Sequence, residues 1–152
     1  MGHRRGLQYG IYLPLAGDVE IQFTLELKQF LSPNDKSNLS FGVLNVKDGF
    51  SYVNGSVYLC YFAAKRSIDV SIPRRINPGD SLCATSVGAL TFDALERVKF
   101  SVRGAQLTIT PDDRAVHSDF LSFDRRAFYI GYDLHSTADL SAAISDFSVQ
   151  AR

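Results

Sequence analysis

Tyr129-Ile-Gly-Tyr-Asp-Leu-His135 holds the most suggestive set of functional groups in the chain. On a strand, alternate residues share a face, so Tyr129, Asp133 and His135 lie on one side with Gly131 between them. An aromatic ring beside a carboxylate and an imidazole suits sugar recognition. The ring stacks on apolar C–H faces and the polar groups bond hydroxyls. Gly131 carries no side chain and reads as a gap in which a ligand could lie. Tyr52, Tyr58, Tyr61 and Tyr132 fall on or beside neighbouring inner strands. Of Tyr58 and Tyr61, three apart on one strand, only one can face outward and serve as a stacking platform. Arg103 ends the Val98 strand on its polar side and adds a donor. The expected ligand-binding residues are therefore Tyr58, Tyr61, Arg103, Tyr129, Asp133 and His135, and the expected ligand is a polysaccharide or glycan. The alternative is that the tyrosines pack the core or sheet surface with their hydroxyls reaching water, and that the Tyr129 strand shows a solvated face with Gly131 at a bend.

Other constellations carry less. His117-Ser118-Asp119 has the residue types of a hydrolytic triad. Triad members converge from separate segments, however, and no G-x-S-x-G elbow is present. Cys60 has no matched histidine to activate it as a nucleophile. His3, His117 and His135 are scattered and give no zinc spacing. Asp112-Asp113, and Asp18 with Glu20, offer oxygen ligands of the kind calcium takes, but without EF-hand spacing. No cofactor is expected; calcium is the one ion the acidic pairs leave open. Arg74-Arg75 and Arg125-Arg126 read as solvated loop charges, with capture of sulfated or carboxylated sugars as the sharper alternative.

These residues need a scaffold, and the strand rhythm supplies it. In Val19-Glu-Ile-Gln-Phe-Thr-Leu-Glu-Leu27 every odd position is apolar and every even one polar. That alternation marks a half-buried strand. It returns at Ile68–Ile72, Val98–Val102, Leu107–Ile109 and Phe128–Leu134. Val57–Ala64 is apolar on both faces, which suits a central strand covered on both sides or one lining a groove. Gly104-Ala105 predicts a two-residue type II′ hairpin. Asn54-Gly55 predicts another hairpin, and Thr110-Pro-Asp-Asp113 a type I turn with proline second. A slip of phase between Ile144 and Phe147 predicts a β-bulge at Ser145-Asp146. Asp93 to Arg97 could form one short helical turn. About ten to twelve strands and no longer helix predict an all-β, two-sheet antiparallel sandwich of jelly-roll type.

The chain has 152 residues, 45% of them hydrophobic and 21% charged, enough for one domain with a sizeable core. Residues 1–6 read as a tag or disordered start and 7–152 as the single domain. Sixteen basic residues balance sixteen acidic ones. Nucleic-acid binders carry a basic excess, so no nucleic-acid partner is expected. With no apolar run of about eighteen residues, no membrane insertion is expected either. The two cysteines, Cys60 and Cys83, form no disulfide framework; a buried thiol and a single bridge are both open.

The order of elements in the C-terminal half is similar to that of a known superfamily. Val98-Lys-Phe-Ser-Val-Arg-Gly104 and Gln106-Leu-Thr-Ile-Thr110 precede a turn, then Phe128-Tyr-Ile-Gly-Tyr132 and a closing Ile144-Ser-Asp-Phe-Ser-Val149. Asp18 to Leu27, Phe41-Gly-Val43 and Tyr58-Leu-Cys-Tyr-Phe62 match its earlier strands. The sequence resembles the concanavalin A-like lectin/glucanase superfamily, in its laminin-G-like, non-catalytic branch. Glucanases of that superfamily carry Glu-x-Asp-x-x-Glu or a near variant on one strand, because two carboxylates must flank the glycosidic bond. No such triplet occurs here, so no enzymatic activity is expected. Two departures stand out: Pro111-Asp-Asp-Arg114 replaces an Asn-Gly turn, and there is no tryptophan. The resemblance implies a lectin-like, carbohydrate-binding module of a larger extracytoplasmic protein, extracellular or cell-surface. The alternative is a structural or sensory ectodomain of the same fold that contacts a protein partner. It also implies that any calcium would sit at the sandwich rim.

Overall fold

A computed structural model describes residues 7–29, 38–46, 56–62, 66–72, 83–134 and 140–152, the side chains of 7–9, 29, 83, 84, 132–134 and 140 excepted. Eleven strands account for most of them: β1 Leu7–Leu15, β2 Val19–Gln29, β3 Asn38–Asn45, β4 Val57–Phe62, β5 Ser67–Ile72 and β6 Cys83–Ala89, then β7 Leu95–Arg103, β8 Gln106–Pro111, β9 His117–Phe120, β10 Arg126–Leu134 and β11 Leu140–Ala151. They form two antiparallel sheets. A six-stranded sheet runs β1-β10-β3-β4-β5-β6 and a five-stranded one β11-β2-β7-β8-β9. The fold is an all-β jelly-roll sandwich, as the alternation predicts. No helix of the described residues is long and apolar enough to cross a membrane.

The alternating residues meet between the sheets. Ile21, Phe23 and Leu25 of β2 and Val98 and Phe100 of β7 are at most 1% exposed. Opposite them lie Leu39, Phe41 and Val43 of β3, Leu59 and Tyr61 of β4, and Phe128 of β10. Each such side chain, fully buried, contributes roughly 1.5–3 kcal/mol by leaving water. β4 is fourth of the six strands and buried on both faces, which explains its doubly apolar sequence.

Several turns follow expectation. Gly104 has φ +58 and joins β7 to β8 with Arg103 opposite Gln106, while Ala105 keeps a negative φ, the sign pattern of a II′ turn. The β11 register shifts between Ser145 and Ser148, and Asp146 adopts φ +54, so the bulge lies where the phase slip puts it.

Two expectations are corrected. β8 runs on through Pro111, which pairs with Val98, and Arg114 N donates to Pro111 O at 3.1 Å. The central residues of that turn are Asp112 and Asp113, both left-handed, at φ 46 and 60. This is a primed turn starting at proline, not a type I turn with proline second. Aspartate tolerates that region, and Asp112 Oδ1 also accepts from Arg97 N at 3.0 Å. The suggested helical turn at 93–97 is absent too. Asp93 is left-handed, and from Leu95 onward the chain is paired with β2, Glu96 opposite Leu25. Residues 1–6, the Asn54-Gly55 turn and Arg74-Arg75 lie outside the described residues.

Candidate binding face

The six-stranded sheet has one face on the core and one turned away from the other sheet. Cross-strand register defines the outward rows. One runs Tyr12, Tyr129, Gly42, Tyr58 and Ser71, from β1 through β10, β3 and β4 to β5. The next runs Gly10, Gly131, Ser40, Cys60, Asp69 and Ser86. In a half-solvated sandwich such a face would be wet. Here Tyr58, Cys60, Asp69, Ser71, Asn38 and Tyr129 are all buried, none more than 8% exposed.

Its aromatic part is built around Tyr129. The Tyr129 ring meets Tyr58 edge-on, centroids 5.9 Å apart at 90°, and packs against Tyr12 at 5.3 Å. Leu44, Cys60 and Phe62 complete a second apolar cluster, separate from the main core. The space over Gly131 is not an empty gap. A Cβ on Gly131 would overlap the Tyr129 hydroxyl, and one on Gly10 would overlap the same ring. The glycines seat the tyrosine, which corrects the reading of Gly131 as open room for a ligand. Tyr12, 37% exposed, is the ring of this trio that reaches solvent.

The polar part lies on β3 to β5. Ser40 Oγ donates to Asn38 Oδ1 at 2.5 Å and lies 3.6 Å from Cys60 Sγ. Cys60 is buried on this face beside Ser40, and the side chain of Cys83 lies outside the described residues. On β5, Asp69 Oδ1 and Ser67 Oγ are buried without any hydrogen-bond partner, two positions apart on the same face. A register shift in the β5–β6 pairing falls between Ile68 and Asp69.

The six expected residues distribute unevenly. Tyr58 and Tyr129 come together on the outward face. Asp133 shares that face by backbone register, opposite Asn38. His135 lies outside the described residues. Tyr61 points into the core: it pairs with Leu39, is 0% exposed, and donates from its hydroxyl to Glu96 Oε1 at 2.7 Å. It cannot be a platform, because β4 parity gives the outward position to Tyr58. Arg103 belongs to the other sheet. It is exposed on the outer side of β7 with Lys99 and Ser101, in a shallow depression that also touches Glu20 and Gln106. The contributions of Tyr12, Ser40, Asn38 and Asp69 escape the sequence, since they depend on which distant strands become neighbours.

The remaining candidates have structural partners. Asp18 Oδ1 accepts from Gly104 N at 2.7 Å. Glu20 accepts from Arg152 at 3.0 Å, and the Arg152 bond, then that of Gln22, holds its carboxyl below the usual range. Among the described residues no three His, Cys, Asp or Glu side chains are grouped to hold a metal. In β9, His117 and Asp119 point to one side and Ser118 to the other, where it bonds Gln106, so the three form no triad.

Among the described residues, Glu96 is a half-buried carboxylate shifted upward. Burial is the main cause, the Asp112 charge adds to it, and the Tyr61 hydrogen bond partly offsets both. Burial also raises Tyr61, followed by the Glu96 charge. A raised carboxyl contributes stability fully below its unfolded pKa, about 4.3, and loses it as pH rises through the folded value. Glu96→Gln keeps an acceptor for Tyr61 and removes the charge. The variant is expected to melt above the parent at pH 8, with the difference closing below about pH 4, where both states of the parent are protonated. Thermal melts across that range check it; a gap independent of pH would refute the assignment.

No family model matches the sequence, and no curated protein matches it. Solved structures share the fold. An alginate lyase from Pseudomonas aeruginosa superposes with TM-score 0.65 at 15% identity, covering 90% of this chain and 65% of the lyase. A carbohydrate binding module from Bacillus subtilis gives 0.59 at 12% identity, covering 99% and 85%. The carbohydrate recognition domain of Emp47p gives 0.64 at 10%, covering 97% and 79%. The chain thus spans about two thirds of the length of the alginate lyases it resembles.

Proposed function

We propose that this jelly-roll sandwich is a non-catalytic glycan-binding module of an extracytoplasmic protein, whose site is the outward face of the six-stranded sheet. The observation that carries the reading is the character of that face. Three tyrosine rings are packed together beside serines, an asparagine and an aspartate. Apolar rings next to convergent hydroxyl-bonding groups are what a sugar requires. Two of the structural neighbours are described as a carbohydrate binding module and a carbohydrate recognition domain, which supports the reading. Alginate lyases share the same scaffold. The non-catalytic assignment therefore rests on residues: the sequence has no Glu-x-Asp-x-x-Glu triplet on one strand, and the described histidine, His117, sits on the other sheet. Any binding is expected to proceed without calcium.

A second reading, contact with a protein partner, draws on the edges of the sandwich. Ile11 of β1 and Ile144 and Val149 of β11 belong to the core-facing sides of the two edge strands, yet are 69%, 38% and 42% exposed. Unsealed apolar edges suit association.

Isothermal titration with neutral and acidic oligosaccharides separates the two. Tyr12→Ala and Tyr129→Ala should each weaken binding of a retained sugar by roughly 1–3 kcal/mol. Tyr12, the more exposed, should do so with little change in melting temperature. Unchanged affinity in both variants would remove this face as the site.

A further inference from the structure

We infer that Asp69 is the selectivity element of this face, accepting hydrogen bonds from the hydroxyls of an uncharged sugar and excluding uronate-type, acidic glycans. The inference rests on the glycan-binding reading above and goes beyond it to substrate class.

The argument begins with charge. Among the described outward-facing side chains of the six-stranded sheet, Asp69 is the only charged one. The outward positions of β1, β10, β3, β4 and β5 contain no lysine, arginine or histidine. By backbone register a second carboxylate position, Asp133, shares the face. The sole basic residue of the described strands in this sheet is Arg126, at the start of β10. Its guanidinium donates instead to the Phe123 carbonyl at 3.0 Å and the Gly104 carbonyl at 2.6 Å. A sugar bearing a carboxylate would bring like charge to Asp69, and among the described side chains of this face there is no cation to receive it, which is unfavourable.

The second observation is independent of charge counting. Asp69 is 8% exposed and its Oδ1 has no donor, and neither does the buried Ser67 Oγ beside it. Buried polar atoms are ordinarily satisfied, and an exception calls for an explanation. Cys60 and Ser86, its cross-strand neighbours, supply no hydrogen bond to that oxygen. A carboxylate oxygen accepts only, so the group that completes it must be a donor. Sugar hydroxyls are such donors, and Ser67 can both give and accept in the same contact. A carboxylate oxygen left without a donor in the free protein and given one by ligand costs stability and favours binding, the trade expected of a site residue.

The test has two arms. In the first, parent and Asp69→Asn proteins are melted without ligand. Removing a charge whose Oδ1 is buried without a donor is expected to raise the melting temperature by roughly 2–4 °C. A fall would mean that Asp69 is held by structural partners, and it overturns the inference whatever sugars do. In the second arm, cellohexaose, maltohexaose and xylohexaose serve as neutral probes and polyguluronate as the acidic one. The parent should bind a neutral hexasaccharide at least tenfold more tightly than polyguluronate, and Asp69→Asn should narrow that ratio. Equal or tighter polyguluronate binding, or an unchanged ratio in the variant, refutes the role of Asp69 while leaving glycan binding intact. Silence of the parent towards every saccharide, with the rise in melting temperature still seen, instead refutes the glycan reading itself and the selectivity with it.

Discussion

Phe23→Ala is expected to destabilise the protein by about 3–5 kcal/mol, the usual loss for a large aromatic removed from a close-packed interior. Phe23 lies at mid-length of β2 and is 1% exposed. Its ring packs at 4.5 Å against Phe41 of the opposite sheet, with Phe128 at 6.3 Å and Phe147 of β11 at 6.1 Å. It therefore joins both layers and also anchors the bulged strand. Small domains have about 5–15 kcal/mol of net stability, so this single truncation removes a large share. Equilibrium urea unfolding reads the change as a drop in midpoint. Phe120, on β9 and 74% exposed, is the internal control: Phe120→Ala should stay within about 0.5 kcal/mol of the parent. Equal losses at the two positions would contradict the division between interior and surface.

The alternation that places Phe23 inside is readable without coordinates, because period 2 assigns all of β2 at once. The same logic locates the Gly104 hairpin and the Ser145-Asp146 bulge, since each is local in sequence. It fails where the deciding contact is distant. Val57–Phe62 is apolar on both faces, so its phase does not say whether Tyr58 or Tyr61 faces out. The pairing of Tyr61 with Leu39 decides that. Arg103 has the right polarity for a site but stands on the wrong sheet, a fact of topology rather than of pattern. Asp69 reads from sequence as the wet position between Ile68 and Val70. Its burial, at 8% exposure, depends on distant neighbours, which no window of sequence reports. The Asp112-Asp113 turn departs from expectation for a local reason: proline at strand ends and proline in turns look alike until the pairing of Pro111 with Val98 is known.

That dependence on distant neighbours also shapes the second large effect, at Gly42. This residue lies on β3 between Tyr129 and Tyr58, in the row of rings that crosses the outward face. A Cβ there would stand 2.6 Å from the Val57 carbonyl oxygen and 2.8 Å from Cδ1 of Tyr58. The ring could swing aside, but the carbonyl belongs to the backbone of β4 and cannot retreat without loosening the β3–β4 pairing. Gly42→Ala is accordingly expected to cost up to about 3 kcal/mol, the upper range for overpacking a tight interior. Gly131→Ala meets a different obstacle, the far end of the Tyr129 side chain. It should expel that ring at smaller cost to the fold. The two variants therefore separate scaffold from site. Gly42→Ala should lower the unfolding midpoint markedly. Gly131→Ala should lower it less while disturbing the packed tyrosines, read as a larger change in near-ultraviolet circular dichroism per unit of stability lost. If Gly131→Ala proved the more destabilising of the two, Tyr129 would be a keystone of the fold, and the aromatic face could no longer be separated from the structure that carries it.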